Sequence, residues 1–308
     1  MENTIPALHK ERWVLAYVPI LDNYENLLCK EIIPIANEVL KQKRASDFIF
    51  RREGENKLAL YFHTSPYNSE RYIKPTLFEK LGKNKIEYKD YCILYHGSGN
   101  EADLAEMLLP FTSRIVSTLM GEKGKEWSTE ASIEYALPMQ IALVHSFGLS
   151  RNDISVFYSY LVREGLANLN LDGVPRPDEW RSGFVEMLES NFQTQSEALV
   201  GYADYLMNSL SNKEEFEEEW MNEWRIKCEA VSGIFDLQTD EQRRLPEDFK
   251  VNPALGVSEH IQKKWPMLHE LTMFINSQMG MELFFQFNVF HIISRCAEIL
   301  EETNAVAE

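Results

Sequence analysis

The sequence of 308 residues lacks most of the short motifs that identify an enzyme class. It contains no G-x-G-x-x-G, G-x-x-x-x-G-K-[ST], H-E-x-x-H or G-x-S-x-G segment, so the common nucleotide-binding, zinc-protease and hydrolase patterns are not indicated. The seven histidines include no pair at i, i+4 spacing, and the sequence therefore predicts no metal site. Pattern alone leaves the reaction type open.

Cysteine is scarce, and long apolar runs are absent. The four cysteines are far apart and form no C-x-x-C pair, so we expect reduced and mostly buried thiols. The N-terminal segment "MENTIPALHKERW" has no apolar core of signal-peptide length. No later run approaches the roughly 20 apolar residues that a membrane-spanning helix needs. These absences predict a cytoplasmic protein with no membrane association.

Positive charge is also in short supply. Lys and Arg number 31 against 48 Asp and Glu, which gives a formal net charge of −17. No dense basic run with interleaved aromatic residues opposes this charge, and a negative protein repels phosphate backbones. We therefore expect no nucleic-acid partner.

The first third of the chain has the pattern of an α+β structure. "RWVLAYVPI" suits a strand, and the amphipathic stretch after it begins at Asp22 and contains Pro34, which should kink or divide the helix. "FIFRREGENKLALYF" predicts a hairpin whose second strand has Leu58, Leu60 and Phe62 on one face. "RYIKPTLFEKLG" predicts a short helix closed by its glycine, and the apolar core of "EYKDYCILYHG" predicts a further strand at 91–95.

The remaining two thirds follow a helical period. Glycine and proline breaks divide this part into predicted helices near 101–120, 129–147, 151–168, 178–210, 213–236, 258–276 and 280–302. "NKEEFEEEWMNEW" predicts an acidic helical face that carries Trp220 and Trp224, either as an aromatic seam toward the core or as a peptide-binding surface. No linker or repeat divides the chain, so we expect one compact domain over 1–308, with a β-containing part at 1–97 and a mainly helical part at 98–308.

Polar residues in apolar surroundings supply the candidate site. A buried polar group without a partner costs about 1–3 kcal/mol, so each of these residues either makes a core hydrogen bond, lies on an outer polar stripe or lines a pocket. As catalytic residues the sequence offers Tyr202, Asp204, Gln286 and Asn288. As residues that contact a substrate it offers Tyr158, Arg163, Tyr61, Lys57 and His291.

The order of the N-terminal elements resembles a known family. An early strand with Trp13, then "IIPIANEVL", "DFIFRREGENKLALYF", "LFEKLG" and "DYCILYHG", is similar to the C-terminal domain of lantibiotic dehydratases, also known as the thiopeptide-type bacteriocin biosynthesis domain. The similarity continues through "LAEMLLPFTSRIVSTLM" and "ALPMQIALVHSFGL" to the last helix. The resemblance implies the fold of the elimination domain: an antiparallel or mixed N-terminal sheet with a hairpin and flanking helices, then a predominantly helical part.

Two motifs of the eliminases in this family are altered. Their hairpin resembles F-F-x-R-Y, a turn and H-L-R-L-R-F, and Lys57, Ala59 and Tyr61 occupy the positions of the histidine and the two arginines. Their late H-x-H-x-N-R-L motif falls on "FFQFNVF", where Asn288 alone remains. A glutamate eliminase would thus lack its basic residues, and the departures favour the pyridine synthase branch of the family.

The resemblance implies a ribosomally made precursor peptide as the substrate, with a leader and a dehydrated, azole-bearing core. A pyridine synthase joins two of its dehydroalanines by formal [4+2] cycloaddition and releases water and the leader, without a cofactor. We expect the leader to bind in extended form against the N-terminal sheet or its neighbouring helices. Other enzymes of the pathway are further expected partners, and the oligomeric state stays open, a homodimer included.

Three alternatives remain beside the cycloaddition. The chain could be a glutamate eliminase with displaced catalytic residues, as one half of a split dehydratase. It could instead be a non-catalytic subunit that docks the leader. A peptide aminoacyl-tRNA ligase conflicts with the net charge of −17, because tRNA affinity depends largely on neutralising phosphates.

Overall fold

The computed structural model describes residues 12–21, 23–54, 56–82, 86–89, 98–238, 243–244 and 250–307. Backbone contacts divide the chain into two compact units. Unit 1 extends to Ser132 and includes the later segment Phe274–Met281, and unit 2 comprises Ile133–Met273 and the chain from Glu282 onward. A single domain over the whole chain stays a prediction.

Unit 1 is built on a four-stranded antiparallel sheet in the order β2-β3-β1-β4. The strands are β1 (Arg12–Pro19), β2 (Asp47–Glu53), β3 (Lys57–Thr64) and β4 (Glu87–Lys89), and a two-residue strand β5 (Ser98–Gly99) follows. The predicted first strand and the hairpin are confirmed, with Gly54 at φ 64 in the turn. The strand predicted at 91–95 lies outside the described residues.

The hairpin register divides the side chains as the sequence predicted. Leu58, Leu60 and Phe62 share one fully buried face of β3. The opposite face carries Lys57, Ala59 and Tyr61 of β3, with Glu53, Arg51 and Ile49 of β2 directly across from them. Because residues opposite each other in an antiparallel pair point the same way, the second face gathers charged and aromatic groups from both strands.

The helices of unit 1 contain two short π-type turns. The first helix has the parts α1 (Tyr24–Leu27), a π-turn Leu28–Ile32 and α2 (Ile33–Lys41). The second has α3 (Pro66–Asn68), a π-turn Ser69–Ile73 and α4 (Lys74–Leu81), and α5 (Asn100–Lys123) follows. Pro34 is the second residue of α2, which directly follows the π-turn; the backbone stays helical from Tyr24 to Lys41, so the interruption predicted at Pro34 is a change of helix type.

The segment Phe274–Met281 is held in unit 1 by hydrogen bonds to its backbone. The Tyr24 hydroxyl donates to the Gln278 carbonyl at 2.9 Å, and Nη1 of Arg52 donates to the Gly280 carbonyl at 2.9 Å. The Ser132 hydroxyl donates to the Met279 carbonyl at 3.0 Å. These bonds satisfy carbonyl groups where a helix ends, which is why a segment so late in sequence belongs to the first unit.

Unit 2 is helical. Its elements are α6 (Thr129–Ser146), α7 (Arg151–Ala167), α8 (Pro177–Gln193), α9 (Ser196–Asn212), α10 (Glu219–Asp236), β6 (Arg243–Arg244), α11 (Glu259–Gln262), α12 (Trp265–Gln278) and α13 (Leu283–Ala307). Two of these helices, α6 and α12, extend into unit 1, and the two-residue strand β6 lies between α10 and α11 in the sequence. The last helix packs along α7 and also contacts α9 and α8. Gly165 of α7 lies against the ring of Phe287, so the two backbones approach closely there.

Three helix predictions in this part are wrong, and the one at 258–276 is instead α11 and α12, with a turn at Lys263 and Lys264 between them. A single helix at 178–210 is instead α8 and α9, separated at Thr194 and Gln195, where the Thr194 hydroxyl donates to the Asn191 carbonyl at 2.7 Å. The helix predicted from 213 begins at Glu219, because Lys213 adopts a left-handed φ of 56 and ends α9. Of the two tryptophans, Trp224 is fully buried and donates from Nε1 to the Met139 carbonyl at 2.8 Å.

By length and composition alone, Leu283–Ala305 of α13 could cross a membrane. Within the protein, 61% of its most apolar window is buried, and α7, α8 and α9 of the same unit pack on it. This packing is that of a core helix.

Replacing Gly165 by Ala should destabilise the protein. The added methyl carbon would lie 2.8 Å from Cζ of Phe287 and closer still to Cε1, and overpacking of this kind costs about 1–3 kcal/mol. The matched change is Gly183→Ala at an exposed position of α8, where no atom lies within 4 Å of the new carbon. It should stabilise the folded protein by roughly 0.5–1 kcal/mol. Urea unfolding of both variants measures the difference, and equal midpoints would contradict the close approach.

Candidate active site

A charged cluster joins α8 and α13 in unit 2, and we call it the His291 cluster: Glu189, His291 and Arg295. Nε2 of His291 lies 3.0 Å from Oε2 of Glu189, and Nε of Arg295 lies 3.1 Å from the same oxygen. His291 and Arg295 are four residues apart, so they lie on one face of the helix. The cluster brings together a titratable ring and a carboxylate that are 102 residues apart in the sequence.

The protonation of His291 follows from its surroundings. Burial lowers its pKa, and the hydrogen bond and charge of Glu189 only partly offset that effect. At neutral pH the ring is therefore neutral, and because an ionised carboxylate can only accept, Nε2 carries the proton that Glu189 accepts. Nδ1 is then the basic atom, and no residue in the described part of the chain hydrogen-bonds to it.

Glu189 is held in its ionised form. Partial burial alone would raise its pKa, but hydrogen bonds from Gln193 and His291 and the charge of Arg295 together lower it. The carboxylate can thus stabilise an imidazolium if His291 takes up a proton, as carboxylates do in histidine-based proton transfer. The cluster has the composition of a general base supported by a fixed anion.

An aromatic cluster lies next to it on the same two helices: Trp180, Phe184, Phe284 and Phe287. The rings of Trp180 and Phe184 are stacked, with centroids 5.4 Å apart and an interplanar angle of 7°. Phe284 contacts both rings and is 47% exposed. His291 follows Phe287, the buried member of the cluster, by four residues, about 6 Å along the helix, so the aromatic cluster adjoins the imidazole.

The predicted catalytic residues Gln286 and Asn288 lie on α13. Gln286 is buried, at 8% exposure. Asn288 is half-buried, and its Oδ1 is a buried acceptor without a hydrogen-bond partner among the described residues. An unsatisfied acceptor three residues from His291 is a group that could receive a substrate N–H.

The predicted pair Tyr202 and Asp204 lies on α9. Tyr202 is 42% exposed, and burial together with Glu218 and Glu134 raises its pKa to about 12. Asp204 accepts from Nη2 of Arg151 at 2.9 Å. Tyr202 is therefore a weaker acid than an ordinary tyrosine, and the Asp204 carboxylate already has a cationic partner.

Tyr158 and Arg163, both predicted to contact substrate, occupy different environments on α7. Tyr158 is fully buried against Phe157 and Phe290, donates to the Gln140 carbonyl at 3.4 Å, and has a pKa raised by burial. Arg163 is 61% exposed and lies near Glu164. Arg163 can reach a ligand, whereas Tyr158 is part of the packed core.

Lys57 and Tyr61 lie in unit 1, on the charged face of the hairpin. Nε and Nη2 of Arg51 bond Oε1 of Glu53 at 3.0 and 2.6 Å, and the Tyr61 hydroxyl donates to the same oxygen at 3.3 Å. Burial lowers the pKa of Arg51, but Tyr61 and Glu53 raise it more, so the guanidinium stays charged. Lys57 lies 5.5 Å from the Tyr17 ring centroid.

The sequence reasoning missed Glu189 and Arg51. Glu189 had no distinguishing local signal, since acidic residues are abundant on every surface helix. Arg51 had one, because the hairpin register places it opposite Ala59, where the resemblance to the eliminases implies an arginine. Within the described residues, no three His, Cys, Asp or Glu side chains come together as possible metal ligands.

Comparison with solved structures identifies the fold. The pyridine synthase TbtD from thiomuracin biosynthesis matches 95% of this chain and 100% of its own length, with a TM-score of 0.68 at 13% identity. The chain has the fold of a pyridine synthase. TsrL matches 95% of this chain and 96% of its own, with a TM-score of 0.65 at 14% identity.

The same fold occurs inside a longer protein. The tRNA-dependent lantibiotic dehydratase MibB from Microbispora sp. 107891 matches 98% of this chain over 29% of its own length, with a TM-score of 0.52 at 14% identity. No protein-family model matches the sequence, nor does any curated protein. The family resemblance and the fold class expected from the sequence are thereby confirmed.

The protein should lose stability as the pH falls from about 7 to 5. Burial lowers the pKa of His145, His269 and His291 below their ordinary 6.5. Below that value the unfolded chain binds more protons than the folded one, so stability rises with pH across this window. Urea midpoints measured against pH report the slope, which should be shallower for His291→Gln. A midpoint that is constant or rises on acidification would contradict the lowered pKa values.

Proposed function

We propose that this chain is a thiopeptide pyridine synthase, which joins two dehydroalanines of a ribosomally made peptide by formal [4+2] cycloaddition. The observation that carries the proposal is the fit to TbtD, which extends over 100% of that enzyme and 95% of this chain. A dehydratase offers a weaker parallel, since only 29% of MibB is matched. The loss of basic residues at Ala59 and Tyr61 supports the same choice.

The first step of the proposed reaction is a proton shift. The amide before one dehydroalanine loses its N–H proton to a base, which returns the proton to the amide oxygen, and this gives a 2-azadiene. Nδ1 of neutral His291 is suited to accept the proton, and Glu189 stabilises the imidazolium at 3.0 Å. Asn288, whose Oδ1 is a buried acceptor, would hold a neighbouring peptide N–H.

Ring closure then depends on bringing two distant alkenes together. Two carbon–carbon bonds form between the azadiene and the second dehydroalanine, and orientation of this kind contributes up to about 7–11 kcal/mol in the best cases. We assign the exposed ring of Phe284, with the partly exposed Trp180 stacked on buried Phe184 beside it, to holding the flat, azole-bearing substrate.

Two losses complete the aromatic ring. The hydroxyl of the cyclic hemiaminal leaves as water, and His291 can take the proton that the ring carbon loses and pass it to the departing oxygen. The second dehydroalanine then releases its amide nitrogen together with the leader, and the ring becomes a pyridine. We place proton transfer on His291 rather than Tyr202, because a phenol with a pKa of about 12 is a poor donor near neutral pH. Gln286 and Asp204 stay candidate catalytic residues, and Arg163 stays a proposed contact to the peptide.

One observation favours a glutamate eliminase as the second candidate. Arg51 stands directly across from Ala59, so the neighbouring strand returns a guanidinium to the face where the eliminase arm would carry arginines. Glu53, however, accepts hydrogen bonds from Nε and Nη2 of Arg51 and from the Tyr61 hydroxyl, so this guanidinium already has a partner. We therefore rank elimination below cycloaddition.

Mass spectrometry of a dehydrated, azole-bearing peptide tests the proposal. Incubation with the protein should give a macrocycle that is lighter by one water and by the leader amide, which appears as a separate product. A substrate that keeps its full mass over a range of peptides and conditions would refute the cycloaddition.

His291→Gln should slow this conversion by about 10²–10⁴-fold, the usual contribution of a positioned proton-transfer group. Glutamine keeps a donor for Glu189 but cannot take up a proton at neutral pH. The control His145→Gln also removes a histidine of lowered pKa, one that contacts Ser211 instead, and should leave the rate unchanged. Equal rates for wild type and His291→Gln would remove the ring from the mechanism.

Arg51→Gln separates the two candidates. If the chain is a pyridine synthase, this change leaves macrocycle formation within a few-fold of wild type, and neither protein releases glutamate from a glutamylated peptide. The measurement is the glutamate released and the mass of the peptide. Elimination by wild type that disappears in Arg51→Gln would establish the eliminase instead.

A further inference from the structure

Two arginines of unit 1 share one aromatic ring and have no acidic partner among the described residues. The guanidinium carbon of Arg44 lies 3.6 Å above the ring centroid of Tyr72, and that of Arg71 lies 5.9 Å from the same centroid. Neither guanidinium forms an ion pair with any residue that the structure describes. The chain has 48 acidic residues and a net charge of −17, so the charge of this pair is opposite to that of the protein as a whole.

The pair is held in place by its surroundings. The backbone N–H of Arg44 donates to the Val39 carbonyl at 3.0 Å, and its carbonyl accepts from the Thr64 hydroxyl at 2.6 Å. Nη1 of Arg71 donates to the Tyr67 hydroxyl at 2.6 Å, and Tyr72 belongs to the π-turn Ser69–Ile73. Single π-turns often occur at functional positions, because they displace side chains from the regular helical face.

The local chemistry favours an anion. Like charges near one ring repel each other, and a carboxylate between them would remove that repulsion and form charge-assisted hydrogen bonds. Nε of Arg44 is buried, and no described residue accepts its hydrogen. Tyr67, which is 41% exposed, supplies an aromatic surface beside the cations.

We propose that Arg44, Arg71, Tyr67 and Tyr72 form a docking surface for an acidic segment of the peptide substrate, which binds through Asp or Glu carboxylates. The peptide as occupant rests on the proposed function, and charge complementarity within a strongly acidic protein supports it. Nucleic acid is the less suitable occupant, because a phosphate backbone as a whole is repelled by the net charge of −17.

Binding of a labelled, capped peptide rich in Glu and Leu tests the surface by fluorescence anisotropy at low and high salt. Wild type should bind it at low salt and should not bind the matched peptide that has Gln in place of Glu. Arg71→Gln and Arg44→Gln should each weaken binding about tenfold, the loss of one charge-assisted contact of about 1.4 kcal/mol. Arg71 is exposed, so its variant tests the surface even if the Arg44 variant fails to fold.

The matched control is Arg176→Gln, which removes the same charge from an exposed arginine paired with Glu179 in unit 2 and should leave the affinity unchanged. Equal affinity of wild type and Arg71→Gln, or no binding by wild type, would overturn the proposal. Tighter binding of a labelled RNA strand, lost in Arg71→Gln, would also overturn it by replacing the peptide with nucleic acid.

The assay separates this inference from the proposed function. Binding of the acidic peptide is measured without turnover, so a protein that binds it but leaves a dehydrated peptide unchanged in mass keeps the docking surface and loses the pyridine synthase assignment. Where the conversion does occur, Arg71→Gln should raise KM for an acidic substrate about tenfold and leave kcat unchanged, because remote binding is weakened without a change in the reacting groups.

Discussion

The close approach of α7 and α13 at Gly165 is the constraint on which the candidate site depends. The Phe287 ring occupies the space where any other residue at 165 would have a side chain, so this point fixes the rotation of α13 about its axis. One turn later the same helix presents His291 toward Glu189 of α8, and one further turn presents Arg295. A helix shifted by one residue would rotate these side chains by about 100°, away from the carboxylate.

Partial burial then decides the chemistry of the cluster. A histidine on the surface of so acidic a protein would gain protons near neutral pH, but burial lowers the pKa of His291 despite the adjacent carboxylate. Arg295 compensates the charge of Glu189, so the anion does not need the imidazolium as its counter-ion. The ring is thus left neutral, with a fixed anion ready to stabilise the protonated form. This division of roles requires all three residues, because without Arg295 the carboxylate would favour a protonated histidine.

Much of the fold could be predicted from periodicity, and the errors have physical causes. A continuous apolar run specified β1, and the alternation in β3 with the glycine turn between β2 and β3 specified the hairpin, while the gap at Thr194 and Gln195 has no glycine or proline to mark it. Polarity in an apolar helix indicated Asn288 and His291, yet it also indicated Tyr158, which the core satisfies through one carbonyl. Glu189 could not be found, because its partner is 102 residues away and nothing in its own neighbourhood distinguishes it.

The hairpin shows how a sequence comparison along one strand can mislead. Compared position by position with the eliminase motif, β3 has Ala59 and Tyr61 where that motif has arginines. This comparison suggests a face without strong positive charge. Across the register, Arg51 lies over the small side chain at 59, and its guanidinium is balanced by Glu53 and the Tyr61 hydroxyl. This face of the hairpin keeps one cation, but Glu53 neutralises its charge. The face therefore carries a hydrogen-bonded network with little net positive charge, in contrast to the two unneutralised arginines of the eliminase motif. Elimination needs groups that can gain and lose protons, and a guanidinium whose pKa is raised by its neighbours is poorly suited to either. A network of this kind positions a peptide better than it transfers protons, which is consistent with proton transfer on the helices of unit 2.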